Sequence, residues 1–419
     1  MNVLLKSVTI ISPRSPEYHK KKRDILIKNG QINKIATSIR DAGKVKTISI
    51  PNLHVSPGWF DSGVCFGEPG YEERETLSNG LKVAANSGFT AIVLQPNTNP
   101  LPDTSGDVVF LKKSVINGAT SLYPLGTVTV NSEGKTLAEM FDMHQAGAIG
   151  FYDHKRPLEH GNVLKIALQY TQNFDGLVYS FPLDADLASQ GLVHEGEVST
   201  RLGLKGIPSF AEELRIKRDL AILEYTGGKL HFPTISTTQA VDLIAAAKAK
   251  GLDVSCSVAL QNLWCTDETL HEFDSDYKVQ PPLRSDTDRK ALREGLRKGI
   301  IDMVISDHTP INIELKRVEF EQAAFGSLGL ESMFGVLNSI YNTSAAIGIL
   351  LRGRERFGLE RPKIAKGEIA DLTLFDPKHR YVYDREMCQS TSKNSLFFGS
   401  NLKGKVYGTL ANSILSLQK

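Results

Sequence analysis

The sequence predicts an α/β fold, a TIM-type (β/α)8 barrel with a small β-sandwich-like subdomain formed from both termini. Three observations lead there. Strand-like and helix-like segments alternate through the middle of the chain. Eight strand candidates fall in that stretch, the number that closes such a barrel. Finally, β-patterned segments without helices flank it on both sides. The expected divisions are 1–54 for the N-terminal part of the subdomain, 55–359 for the barrel and 360–419 for the C-terminal part.

The elements follow in order. VLLKSVTII and DILIKNGQINKIA read as strands, with Asn29-Gly30 as a hairpin turn because both residues tolerate the left-handed backbone that such turns need. The barrel candidates are GWFDSGV, FTAIVLQ, SLYPLGTVTV, AIGFYD, LVYSFP, KLHFPTIS, DVSCSVAL and IDMVISDH. Between them, one helix is expected from Thr237 or Thr238 as N-cap through AVDLIAAAKAK to Gly251. Another runs from Asp286 or Asp288 through ALREGLRK to Gly299. GEIADLTLFDP, RYVYD and LKGKVYGTLANSILS then return to the β pattern.

Composition narrows the functional classes. Of 419 residues, 41% are hydrophobic and 23% charged, as in ordinary globular proteins. The 49 basic and 47 acidic side chains leave a net charge of +2, too weak a field to argue for nucleic acid or a membrane surface. The run His19-Lys20-Lys21-Lys22-Arg23 reads as a solvated loop. The N-terminus lacks the signal-peptide pattern, and no apolar run reaches spanning length. Cys65, Cys256, Cys265 and Cys388 lack CxxC spacing, which points to reduced thiols and a cytoplasmic address.

In a TIM barrel the chemistry sits at the C-terminal ends of the strands. The stretch PGWFDSGVCFGEPGYEERETLSNGLKVAANSGFTAIVLQPNTNP, from Pro57 to Pro100, closely resembles dihydroorotase of the amidohydrolase superfamily, above all in GEPGYEE and QPNTNP. The resemblance continues through HEGEVSTRLGLKGIPSFAEELRIKRDLAILEYTGG, KVQPPLR, SDHTP, GSLGLES and GEIADLTLFDP, and so covers nearly the whole chain. It implies a site that opens or closes the cyclic amide of dihydroorotate. Such chemistry needs a divalent ion to polarise the carbonyl and activate water, and a carboxylate to move the proton.

The resemblance also implies which residues should be present. At the family's His-x-His, on the first strand, stand Gly63 and Cys65; Gly67 stands where an arginine would hold a substrate carboxylate. Asp153 occupies the position of the bridging acid. The strand-five and strand-six histidine positions hold Phe181 and Thr234, with His231 three residues before the latter. Asp307 keeps the place of the metal-bound base, while the substrate histidine is Ile311. The family asparagine of the KVQPPLR motif is Gln280, and the paired histidines after strand seven are Gln261 and Asn262. Asn97, Asp153 and Asp307 are what remains of the polar ring.

Each survivor also has a structural reading. Asp307 and His308 are expected to hydrogen-bond loop backbone, Asn97 to form a turn among prolines, and Cys65 to act as a small buried hydrophobe, since the motif places no histidine beside it. His154 and His160 follow strand four as loop residues. Without a cation, Asp153 and Asp307 at one mouth would repel each other, which raises one pKa or calls for hydrogen-bond donors.

The leading expectation is a non-catalytic dihydroorotase-like protein of pyrimidine biosynthesis, without cofactor or bound metal. Some relatives lacking the metal ligands serve as structural partners of aspartate transcarbamoylase, which makes that enzyme the expected partner. Homo-oligomers are expected as well, since barrels of this kind often dimerise. The alternative is an active cyclic-amide hydrolase with an atypical zinc site or a metal-free mechanism, resting on Asp307, Asp153 and Asn97. A third reading is a sensor whose emptied mouth, with Gly67 and Ile311 replacing arginine and histidine, has become more apolar.

Overall fold

The computed structural model describes residues 1–114 and 118–418. The N-terminal side supplies β1 (Val3–Ile10), β2 (Lys22–Lys28), β3 (Gln31–Ala36), β4 (Lys46–Ile48) and β5 (His54–Pro57). At the β2–β3 turn Asn29 and Gly30 have φ of 51° and 77°, the left-handed pair that a tight hairpin requires. Alternate residues Val3, Leu5, Ile25 and Ile27 are buried in the subdomain's own core.

The barrel follows with β6 (Trp59–Val64), β7 (Phe89–Leu94), β8 (Ser121–Pro124) and β9 (Leu177–Tyr179). After β9, the short strands β10 (Val193–His194) and β11 (Gly206–Ile207) form a separate parallel ladder. The barrel resumes with β12 (Lys229–Phe232), β13 (Val254–Ala259) and β14 (Met303–Ile305). Its fourth position, AIGFYD, differs from the expected strand. Phe151 bridges Gly126 on one side and Val178 on the other, and the chain leaves the ladder once Tyr152 N–H has reached Gly126 O. A parallel bridge between Val64 and His308 closes the ring.

Phe60, Val93, Leu125, Tyr179 and Met303 come from positions around the ring yet form one buried cluster, so they fill the barrel interior. Of the two helices read from the sequence, Thr238–Ala249 is capped by Thr237 and is followed by Gly251 with φ 81°. Asp286–Lys298 is capped by Ser285 rather than by either aspartate; Asp286 and Asp288 sit in the first turn, where their charge suits the helix dipole.

The chain ends in β15 (Leu372–Val382), β16 (Asn401–Ala411) and β17 (Ile414–Leu417). β15 pairs antiparallel with β5 and β16, which joins both ends of the chain in one eight-stranded sheet of order β17-β16-β15-β5-β1-β2-β3, with β4 beside β1. GEIADLTLFDP and RYVYD thus form one irregular strand instead of two. β5 carries the sheet on to Pro57. Between β15 and β16 the chain leaves the sheet and straps across the barrel's C-terminal face, where Asn394 Nδ2 donates to Thr309 O and Gly326 O, and Thr391 binds Glu75. No helix among the described residues is long and apolar enough to cross a membrane.

Candidate functional site at the barrel mouth

The first strand delivers neither of its expected imidazoles, and the space they would need is filled. A Cβ on Gly63 would lie 2.7 Å from Ile305 Cβ and closer still to its Cδ1, so the side chain of β14 has grown into the vacated volume. A Cβ on Gly67 would overlap Tyr71 O, because Tyr71 N–H folds back onto Gly67 O and Gly67 N–H onto Glu75 O. Room for a histidine at one position and an arginine at the other would require neighbours to move.

Asp307 remains at the mouth but is engaged. Lys155 Nζ lies 2.9 Å from Asp307 Oδ2, and Gln261 Nε2 donates to the same oxygen at 2.7 Å. Both ends of the ion pair are nearly buried, with side-chain exposures of 13% and 6%. Lys155 and Asp307 each adopt a left-handed backbone, with φ of 53° and 47°, a conformation that non-glycine residues rarely take. Tyr152 OH holds the Lys155 turn by accepting its N–H at 2.9 Å. Asp307 thus departs from the expectation that it would hydrogen-bond loop backbone, since its carboxylate is bound by two side chains. Its neighbour His308 does bond loop backbone: its carbonyl accepts from Cys65 N–H, and its Nδ1 accepts from Gly329 N–H. Burial pushes the His308 imidazole down to about 3, so it is neutral.

The second carboxylate faces a different set of donors. Asp153 Oδ1 accepts from Val128 N–H at 2.9 Å and Thr129 N–H at 3.1 Å, and Oδ2 from the Thr129 hydroxyl. Burial raises its pKa against those bonds. Cys65, for its part, does have a histidine beside it. His154 Nε2 is 3.5 Å from its Sγ, brought there by the turn after the fourth barrel position. Burial pushes the thiol up to about 12 and the imidazole well below its usual value, which disfavours a thiolate–imidazolium pair. A reactive cysteine needs the opposite, a thiolate stabilised by a nearby positive charge.

The remaining positions do not converge on one point. Phe181 joins the interior cluster with Tyr152 and Tyr179. His231 lies deeper in the barrel, under Tyr179 and bonded to Ser255 Oγ at 2.8 Å and Ser257 Oγ at 3.2 Å. Thr234 has φ 54°, and its hydroxyl, like Asn97 Oδ1, is buried without a hydrogen-bond partner among the described residues. Asn262 Nδ2 reaches Pro282 O, and Gln280 precedes a cis proline, Pro281. His160 is exposed at the start of the helix Gly161–Thr171. Lys155 is the residue that reading the sequence missed. No signal in the sequence marks it, because the turn that aims it at Asp307 is a left-handed one at Lys155 itself.

A family model described as Dihydro-orotase-like matches residues 54–240. A dihydroorotase of Pelotomaculum thermopropionicum is 36% identical over 100% of this chain and 99% of its own length. Another, of Syntrophus aciditrophicus, is 36% identical over 100% of both chains. The chain belongs to the dihydroorotase family. Among solved structures, L-hydantoinase from Arthrobacter aurescens aligns with a TM-score of 0.84 at 23% identity, over 100% of this chain and 98% of that one. Dihydropyrimidinase from Brevibacillus agri gives 0.82 at 19%, over 100% and 95%. Those two likenesses confirm the fold, a TIM barrel with a β-sandwich-like subdomain.

A dihydroorotase implies a divalent metal, and the residues present do not fit one. Catalytic zinc takes three protein ligands, chiefly nitrogen or sulfur, with one open position. No group of three or more His, Cys, Asp or Glu among the described residues is placed to hold a metal ion. Gly63 offers no donor, Cys65 is a high-pKa thiol, Asp153 is taken up by backbone N–H groups, and Asp307 is bound to an ammonium. The expected conflict between the two carboxylates is met by separate donors on each.

Proposed function

We propose that this dihydroorotase family member no longer hydrolyses a cyclic amide and instead acts as a structural or regulatory partner in pyrimidine biosynthesis, for example of aspartate transcarbamoylase. One observation carries the reading: Lys155 Nζ sits on the carboxylate that would have to bind metal and accept the proton. Asp307 Oδ2 is taken by both Lys155 Nζ and Gln261 Nε2, so that oxygen is not free to accept a proton from water. The closed volumes at Gly63 and Gly67 add that neither metal nor substrate carboxylate regains its anchor by rotamer changes alone.

The test is metal analysis of the purified full chain together with dihydroorotate hydrolysis in added zinc. The expected result is metal far below one equivalent and turnover at the buffer rate. Stoichiometric metal, with turnover abolished in Asp307→Ala, establishes the active hydrolase instead. For the partner role, co-purification with aspartate transcarbamoylase is the measurement, and failure to associate at micromolar concentrations rejects it.

A further inference from the structure

The altered mouth was expected to offer an apolar pocket around Gly67 and Ile311. The cavity that exists lies further out and is charged. It has a volume of about 620 Å3 and opens between the loop that follows Asp307, the strap across the barrel face and Glu73. Ile311 is in its wall; Asp307, Asn97 and Gly67 are not. That volume falls in the range of small-molecule sites, and its position at the C-terminal face is where barrel loops converge on ligands.

Its polar lining is unevenly satisfied. Lys316 and Lys393 are committed to the chain itself: Lys316 Nζ donates to Lys278 O and Ala324 O, and Lys393 Nζ to Cys388 O and Ser390 O. Arg385 is exposed and lies over the Phe398 ring at 5.7 Å, with no hydrogen bond or ion pair among the described residues. On the acceptor side, Asp276 is 4% exposed; Arg317 covers its Oδ2 at 3.0 Å, while Oδ1 is buried without a donor. Asn312 Oδ1 is also buried without a donor, although Asn312 stands at the N-cap of Ile313–Lys316, where it could have capped that turn. Two buried acceptors without donors are costly unless something supplies N–H groups. Arg317, 42% exposed, is the part of the wall that lies over Asp276.

We infer that this cavity binds a small zwitterion of the amino-acid type, its ammonium group received by Asp276 and Asn312 and its carboxylate by Arg385. Both ends line the same cavity. Charge-assisted bonds at both ends select for molecules that carry both groups. The inference does not depend on whether the barrel mouth retains turnover.

Isothermal titration of the full chain with individual L-amino acids tests it, with propionate and propylamine as single-charge controls. At least one amino acid is expected to saturate the site with a Kd below about 1 mM, and to weaken about tenfold or more in both Asp276→Asn and Arg385→Gln. Arg385→Gln alters an exposed side chain, so it keeps the test decisive if Asp276→Asn misfolds. Absence of saturable binding, binding that survives Arg385→Gln, or equal affinity for either control overturns the proposal.

Discussion

Two polar centres on the same end of this barrel have had different fates. Around Arg284, every charge is answered within the chain. Its Nε donates to Ser236 Oγ at 3.1 Å and its Nη1 to Ile207 O at 2.8 Å, and its Nη2 is 3.7 Å from Glu212. Glu212 in turn accepts from the backbone N–H groups of Ser236 and Thr237 at 2.7 and 3.1 Å. These residues belong to long motifs in which the chain still resembles its family, FAEELRIKRD and KVQPPLR. At the mouth, Gly63, Gly67, Thr234 and Ile311 stand where the resemblance to dihydroorotase would put groups whose partners lie outside the chain. What distinguishes the two regions is where each side chain finds its partner. Groups that hold the scaffold together cannot be lost without unfolding it, whereas groups that served metal and substrate can.

The largest effect should come from breaking the satisfied centre. Arg284→Ala leaves Glu212, 1% exposed, as a buried carboxylate without its cation, and should destabilise the protein by about 3–5 kcal/mol, read from urea unfolding. A loss below about 1 kcal/mol would show that the centre is incidental and remove the contrast. Lys155→Met probes the mouth in the same way. Gln261 still donates to Asp307, so a smaller loss of about 2–3 kcal/mol is expected. If Lys155→Met were neutral, the ion pair would be a surface contact and not a replacement for a metal.

How much of this could be read in the sequence follows from the same contrast. The hairpin at Asn29-Gly30 and the glycine that follows helix Thr238–Ala249 are set by local backbone preference and were legible. The fourth barrel position was read as a strand from its apolar run, but how far its ladder extends depends on neighbours distant in the chain. At the site, absences were legible because a glycine cannot be a ligand in any fold. Replacements were not. Lys155 has no motif around it, and its role depends on a left-handed turn aiming it at a residue 152 positions away. The contact of His154 with Cys65 is hidden for the same reason.

The next effect in size concerns reversal. Gly63→His must displace Ile305 and should cost about 1–3 kcal/mol by overpacking, measured by unfolding. Combined with Cys65→His it restores the family pair on paper, yet Lys155 still occupies Asp307. Zinc binding by calorimetry is therefore expected to stay absent in the double variant. Tight binding there would mean that the first strand alone keeps zinc from the mouth, which makes the two regions far more alike than proposed.

The smallest effect separates two lysines. Lys155 is paired with a carboxylate, whereas Lys316, 1% exposed, is surrounded by backbone carbonyls, and burial pushes its pKa down to about 7 from the usual 10.5. Between those values the unfolded chain binds a proton at Lys316 that the folded chain does not, so stability rises with pH across that window and is lowest below it. Lys316→Met removes this dependence. From pH 7 to about 9.5 the wild-type protein should gain on the order of 1–2 kcal/mol relative to the variant, seen as converging or crossing melting curves. Parallel curves would mean that Lys316 keeps its proton throughout, with the carbonyls of Lys278 and Ala324 stabilising the ammonium as well as Asp307 does for Lys155. Backbone dipoles would then suffice to hold a buried cation at this face of the barrel, and the carboxylate at the mouth would be a remnant that Lys155 neutralises and not the reason Lys155 is there.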